Sequence, residues 1–125
     1  MQPGRPYQRA HYRLPLTVTY PVMFADSSTI GEGNVTNLTV FGCTIECVTV
    51  PLETSPLSLR LLLPDQRESL PIETADVRWV KGMKMGLQFK SVERTANLRL
   101  HGFVWDRMLE RLRSIKQQVS SHPCT

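Results

Sequence analysis

The apolar residues of this chain change period once, and that change limits what it can fold into. Between residues 14 and 89 the pattern is close to two, the period of a strand; from about Glu93 to Val119 it is helical. In the first segment, Leu14 to Phe24, the residues Leu14, Leu16, Val18 and Tyr20 share one face, and Thr17 and Thr19 take the other. Pro15 and Pro21 confine that segment to an edge, a barrel seam or a bulge, because proline cannot donate to a ladder. Thr29 to Thr36 is a weaker strand, loosened by Gly31 and Gly33. Asn37 to Gly42 reads as a tight turn, with an Asn that can bond nearby backbone and a Gly at its end. Gly42 to Val50 alternates again, with Cys43, Ile45 and Cys47 opposite Thr44, Glu46 and Val48.

Leu57 to Leu63, Leu70 to Val80 and Met83 to Phe89 complete the strands, with Lys81-Gly82 as a hairpin turn. Strict alternation along Leu70 to Val80 sets Ile72, Thr74, Asp76, Arg78 and Val80 against Glu73, Ala75, Val77 and Trp79. In the helical segment Leu98, Trp105 and Leu112 recur every seven residues, as do His101, Met108 and Ile115, and Phe103, Val104 and Leu109 widen the stripe. Arg99, Arg107, Glu110, Arg111, Arg113 and Lys116 fill the remaining face. The expectation is a mainly β domain: a six-stranded antiparallel barrel, closed to remove its edges, with one long C-terminal helix.

Ahead of the first strand lies Arg5-Pro-Tyr-Gln-Arg9-Ala-His-Tyr-Arg13, three arginines spaced four apart in a polar segment that reads as a flexible arm. An arginine fork pairs bidentately with phosphate or a guanine edge, and its face stacks on rings. The net charge of +4 agrees with an anionic partner without identifying it. The reading divides the chain into an arginine-rich arm over 1–13, a barrel over 14–92 and a helix over 93–119, all one domain.

Several classes are set aside. No apolar run approaches the ~20 residues of a membrane span, and the N-terminus lacks the apolar core of a signal peptide. Three cysteines argue against a disulfide framework. Cys43 and Cys47 stand about 13 Å apart along a strand, beyond disulfide reach, so reduced thiols and a cytoplasmic protein are expected. His11, His101 and His122 are scattered, and no metal cluster, nucleophile with a base or paired acid–base set is present, so neither a cofactor nor catalysis is expected.

The chain resembles the PilZ family, bacterial receptors for cyclic di-GMP. Arg9-Ala-His-Tyr-Arg13 matches the family's RxxxR, directly followed by a strand, and Asn37-Leu-Thr39-Val-Phe-Gly42 matches its [D/N]xSxxG with Thr in place of Ser. Asp76-Val-Arg-Trp79-Val and Met85-Gly86-Leu-Gln-Phe89 resemble the final hairpin. The resemblance implies cyclic di-GMP as ligand. Arg9 and Arg13 would pair with phosphate and guanine, Asn37 and Thr39 would bond the other polar edge, Gly42 would bring backbone close, and Trp79 would form an apolar wall. Arg5 extends the motif to RxxxRxxxR, which suits a stacked ligand dimer or larger assembly. Binding would order the arm and signal to an effector protein, or through oligomer state by way of Trp105, Met108, Leu112 and Ile115. The readings set beside it are a ligand-blind interaction module and a barrel binding single-stranded nucleic acid.

Overall fold

In the computed structural model, residues 14–64 and 66–120 are described, with side chains over 19–64 and 66–116. The six expected strands are present: β1 (Leu14–Ala25), β2 (Ile30–Leu38), β3 (Gly42–Cys47), β4 (Leu57–Leu61), β5 (Leu70–Lys81) and β6 (Lys84–Ser91), followed by the helix α1 (Arg94–Ser120). They close antiparallel in the order β1-β2-β3-β6-β5-β4. Closure is made by β1 against β4, pairing Val22 with Leu61 and Phe24 with Leu59. Every strand therefore has two neighbours, which removes the exposed edge that a proline-bearing β1 would otherwise leave. At the β1–β2 corner the Asp26 carboxylate accepts the N–H groups of Ser28 (2.8 Å) and Thr29 (2.7 Å) and the Thr54 hydroxyl (2.9 Å), which holds its pKa below the ordinary value.

Inward residues follow period two within each stretch: Tyr20, Val22 and Phe24 on β1, Cys43, Ile45 and Cys47 on β3, Leu57, Leu59 and Leu61 on β4, and Met85, Leu87 and Phe89 on β6. β5 departs from the strict alternation expected for it. Its inward set runs Leu70, Ile72, Ala75 and Val77, then Val80. Two extra residues cause this. β4 advances from Leu57 to Leu59 while β5 passes from Ala75 back to Ile72, and β6 advances from Gly86 to Leu87 while β5 passes from Trp79 back to Val77. Each bulge flips the inward–outward phase of the residues beyond it. Arg78 and Trp79 consequently both lie on the outer surface instead of on opposite faces.

The helix begins where the periodicity places it. The Glu93 carboxylate accepts the N–H groups of Thr95 (3.1 Å) and Ala96 (3.2 Å), capping donors that have no partner inside the helix. The expected single stripe is corrected: it divides into two arcs. Ala96, Leu100, Phe103 and Val104 are buried on the barrel, whereas Leu98, Trp105, Leu112 and Ile115 are exposed. Tyr20 of β1 meets Phe103 edge-on, with centroids 5.5 Å apart, and the Arg107 guanidinium lies 5.2 Å over the same ring. Arg99, far from filling a solvated face, clamps the β4–β5 loop. It donates from Nε (3.0 Å) and Nη2 (2.6 Å) to Gln66 Oε1, and to the carbonyls of Glu68 (2.7 Å) and Ser69 (3.3 Å).

Leu100 is the centre of the seat, fully buried in the core. Leu100→Ala is expected to lower stability by about 2–5 kcal/mol in urea unfolding, the range for a buried leucine, with loss of helical signal no later than the barrel transition. Cys43 and Cys47 are free, buried thiols on one face of β3. Burial pushes the Cys43 thiol from its ordinary 9.0 up to about 12, and raises Cys47 as well. The folded state thus holds the Cys43 proton more tightly than the unfolded chain, so its contribution is complete below pH 9.0 and declines as pH rises toward about 12. In a Cys124→Ser background, an aromatic disulfide reagent at pH 8 is expected to find no fast thiol until denaturant is added; rapid labelling of the folded protein would contradict the burial.

Candidate ligand-binding site

The turn joining β2 to β3 is built around one hydroxyl. Thr39 Oγ1 accepts the N–H groups of Phe41 (2.9 Å) and Gly42 (2.9 Å) and donates to the Gly42 carbonyl (3.3 Å), while the Thr39 N–H reaches the same carbonyl at 2.9 Å. A hydroxyl has one proton and two lone pairs, so this set uses its whole capacity. Thr39 is also buried. Its side chain fixes the turn, and the methyl that distinguishes it from serine is accommodated there.

The turn itself is shorter than the six residues expected. Asn37 and Leu38 belong to β2, and Gly42 opens β3. One extra residue, Thr36, separates the pairs Val35–Ile45 and Asn37–Thr44. That bulge resets the phase, sending Leu38 into the core and Asn37 outward. Asn37 makes no hydrogen bond through its amide among the described residues, so a donor and an acceptor face outward from a half-buried position. Gly42 is required by packing: a Cβ there would run into the Leu87 carbonyl oxygen of β6. The glycine lets β3 and β6 approach, which is a reason independent of any ligand.

Asn37, Thr39 and Gly42 line an outward cavity of about 280 Å³ together with Trp79, Arg78 and Phe41. Trp79 is 45% exposed and its indole lies against Gly86, where a Cβ would collide with the ring. The expected apolar wall is therefore a surface platform, not a core side chain. At this size the cavity lies just below the ~300 Å³ at which small-ligand pockets begin. Cys43 also lines it, but its raised pKa keeps it a neutral thiol and no nucleophile.

Seven of the eleven lining residues were not singled out as site residues from the sequence, among them Phe41, Arg78 and Gln88. Phe41 is 51% exposed at the turn tip, an unusual place for a phenylalanine, and that is the signal that identifies it. Arg78 is exposed and has no ion pair among the described residues, while its neighbours Asp76 and Lys90 pair with each other at 3.6 Å. Its place depends on the bulge beside Trp79, which periodicity does not reveal. Arg5, Arg9 and Arg13 lie outside the described residues. The chain nevertheless enters β1 at the cavity, because Leu14 pairs with Leu38 and Pro15 with Asn37. Among the described residues no helix is long and apolar enough to cross a membrane, and no cluster of His, Cys, Asp and Glu has the makings of a metal site.

Comparison with known proteins agrees with this architecture. A PilZ domain from a cellulose-synthesizing bacterium (the protein CeSA) superposes with a TM-score of 0.60 at 20% identity, over 76% of this chain and 96% of that one. The Bacillus subtilis inhibitor of motility MotI/DgrA gives 0.64 at 18% identity, over 82% of this chain and 52% of that one. Escherichia coli YcgR in complex with c-di-GMP gives 0.64 at 11% identity, over 90% of this chain and 50% of that one. The chain thus spans about half the length of the last two. No curated protein matches. The PilZ domain family model matches residues 7–104, from within the arm to the barrel-bound half of α1, and the chain belongs to the PilZ domain family.

Proposed function

We propose that this chain is a cyclic di-GMP receptor that acts as an adaptor without catalysis, in the cytoplasm. The observation that carries the reading is the register of β1 on β2. It brings the residue after Arg13 alongside Leu38, and the next alongside Asn37, whose amide lines the cavity and has no hydrogen bond among the described residues. A solved YcgR PilZ domain with c-di-GMP, similar over 92% of this chain at 12% identity and a TM-score of 0.58, supports the same ligand class.

Each residue then has a distinct role. Arg9 and Arg13 meet phosphate and the O6/N7 edge of guanine with two-pronged donors. Asn37 bonds the remaining polar edge of that base. Thr39 and Gly42 act one step back, by holding the turn and letting β3 reach β6. Trp79 and Phe41 offer apolar faces to the ring, and Arg78, which has no ion pair among the described residues, adds a positive charge at the rim. Arg5 engages a second stacked ligand or a larger assembly. Binding orders the arm, because the ligand supplies contacts that offset the entropy of fixing it. The ordered arm is a new surface for an effector protein. The exposed helix residues Trp105, Leu112 and Ile115, with half-buried Met108, offer the second route of output, through association of copies.

Calorimetric titration with cyclic di-GMP tests this. Saturable binding is expected for the wild type and no measurable heat for an Arg9→Ala, Arg13→Ala double variant. Arg5→Ala is expected to lower the number of ligands per chain. Absence of binding to the wild type would make the chain a ligand-blind interaction module. A second comparison separates contact from scaffolding. Asn37→Ala is expected to weaken binding by at least tenfold at unchanged melting temperature. Thr39→Val leaves two turn N–H groups without an acceptor and is expected to lower stability by about 1–3 kcal/mol.

A further inference from the structure

The barrel uses one arc of α1 and leaves another uncovered. Leu98, Trp105, Leu112 and Ile115 are 65%, 62%, 55% and 46% exposed, with half-buried Met108 among them. Residues 110–116 are exposed all round, so this half of the helix projects beyond its seat. The uncovered residues keep a seven-residue spacing: Leu98, Trp105 and Leu112 form one row, and His101, Met108 and Ile115 the other. A strict seven-residue repeat makes the narrow seam of a coiled coil, whereas a helix lying on lipid carries a broader apolar face at the 3.6 period.

We propose that this seam pairs antiparallel with the same seam of a second copy, forming a two-fold symmetric dimer. The proposal extends the oligomer route above and does not depend on ligand binding. Charge sets the direction. The positions flanking the seam are Asn97, Gly102, Val104, Leu109, Arg111 and Lys116. In a parallel pair Arg111 of each copy faces Lys116 of the other, twice by symmetry, and like charges at these positions repel. An antiparallel pair sets Leu98 beside Ile115 of the second copy, His101 beside Leu112, and Trp105 beside Met108. The basic projecting end then runs along Asn97 and Gly102, which are uncharged. Gly102 leaves room on the seam edge, since a side chain there would meet nothing within 4 Å.

The barrels point the same way. Each barrel covers the first half of its own helix through Ala96, Leu100, Phe103 and Val104. A parallel pair brings both barrels to one end and leaves both projecting ends bare of any barrel. An antiparallel pair places the barrels at opposite ends. A two-fold contact of this kind is self-complementary and closed, so it stops at two copies.

Light scattering on the ligand-free full chain is expected to give twice the 14.2 kDa of the monomer. Cysteine pairs read the direction, in a Cys124→Ser background where Cys43 and Cys47 are buried. The Leu98→Cys, Ile115→Cys double variant is expected to form a covalent dimer on oxidation, and neither single variant to do so. Trp105→Glu is expected to give monomers with unchanged helical signal. Cross-linking by the single variants would mean a parallel pair and would overturn the proposal. So would a wild-type monomer, including one that co-floats with phosphatidylglycerol vesicles, which would assign the face to a lipid surface. These measurements use no dinucleotide, so a failed titration and a failed dimer remain separate results.

Discussion

Everything in this domain depends on closing a ladder of six short strands around a core filled by their inward side chains and completed by one arc of α1. Closure gives every strand two neighbours and fixes which face of each is dry. It also forces local irregularity. Strands of 5 to 12 residues cannot all wrap the same barrel in unbroken register, and the pairings shift at several points along β1, β2, β5 and β6. A bulge lets a strand bend while its next apolar residue still lands inside.

The candidate site is a product of those bulges. The extra residue at Thr36 turns Asn37 out and Leu38 in; the one beside Arg78 turns Trp79 out and Val80 toward the core. Both bulged strands flank the β3–β6 contact, where Gly42 permits close approach of the two backbones. The cavity therefore sits on the outside of a barrel whose inside is lined by buried apolar side chains. The groups around it divide into those that build it and those that face it. Thr39 builds, since its hydroxyl is committed to the turn. Asn37, Arg78 and Trp79 face it, with polar or aromatic surface left over.

This explains what was legible in the sequence. The strands and the start of the helix follow from apolar period, proline and glycine placement, and the structure has six strands and one helix where they were expected, whereas the order β1-β2-β3-β6-β5-β4 was not read from the sequence. The motif residues Asn37, Thr39 and Gly42 were legible as a group, and they do share one cavity with Trp79. Bulges leave no such mark. Strict alternation placed Arg78 and Trp79 on opposite faces because a single inserted residue has the same composition as an ordinary one. The helix posed a different difficulty. Its sequence carries two apolar arcs, and the seven-residue repeat is the more conspicuous. The barrel instead takes Ala96, Leu100, Phe103 and Val104, where Phe103 meets Tyr20 and Leu100 is wholly buried. Periodicity identifies an apolar arc but not the partner that covers it.

The two outward features stand in different relation to the barrel. A closed, densely packed core resists graded deformation, so a ligand seated outside it has little means of reshaping the far side. What a ligand can change at low energy is whatever attaches to the barrel at the cavity rim, and the segment that attaches there is the one running into Leu14. The helix is held by contacts on β1 and β5 and by the Arg99 clamp on the β4–β5 loop, and Tyr20, Phe103 and Arg99 do not line the cavity. The proposed output through the arm would therefore need no movement of the helix, and the proposed association through the helix would need no ligand. If copies associate through the helix as proposed, the helix would set how many sites are carried together, and ligand at the cavity would set when each is filled. Two arms brought into one assembly would then offer a bivalent surface, which binds a partner far more tightly than either arm alone provided the geometry lets both engage.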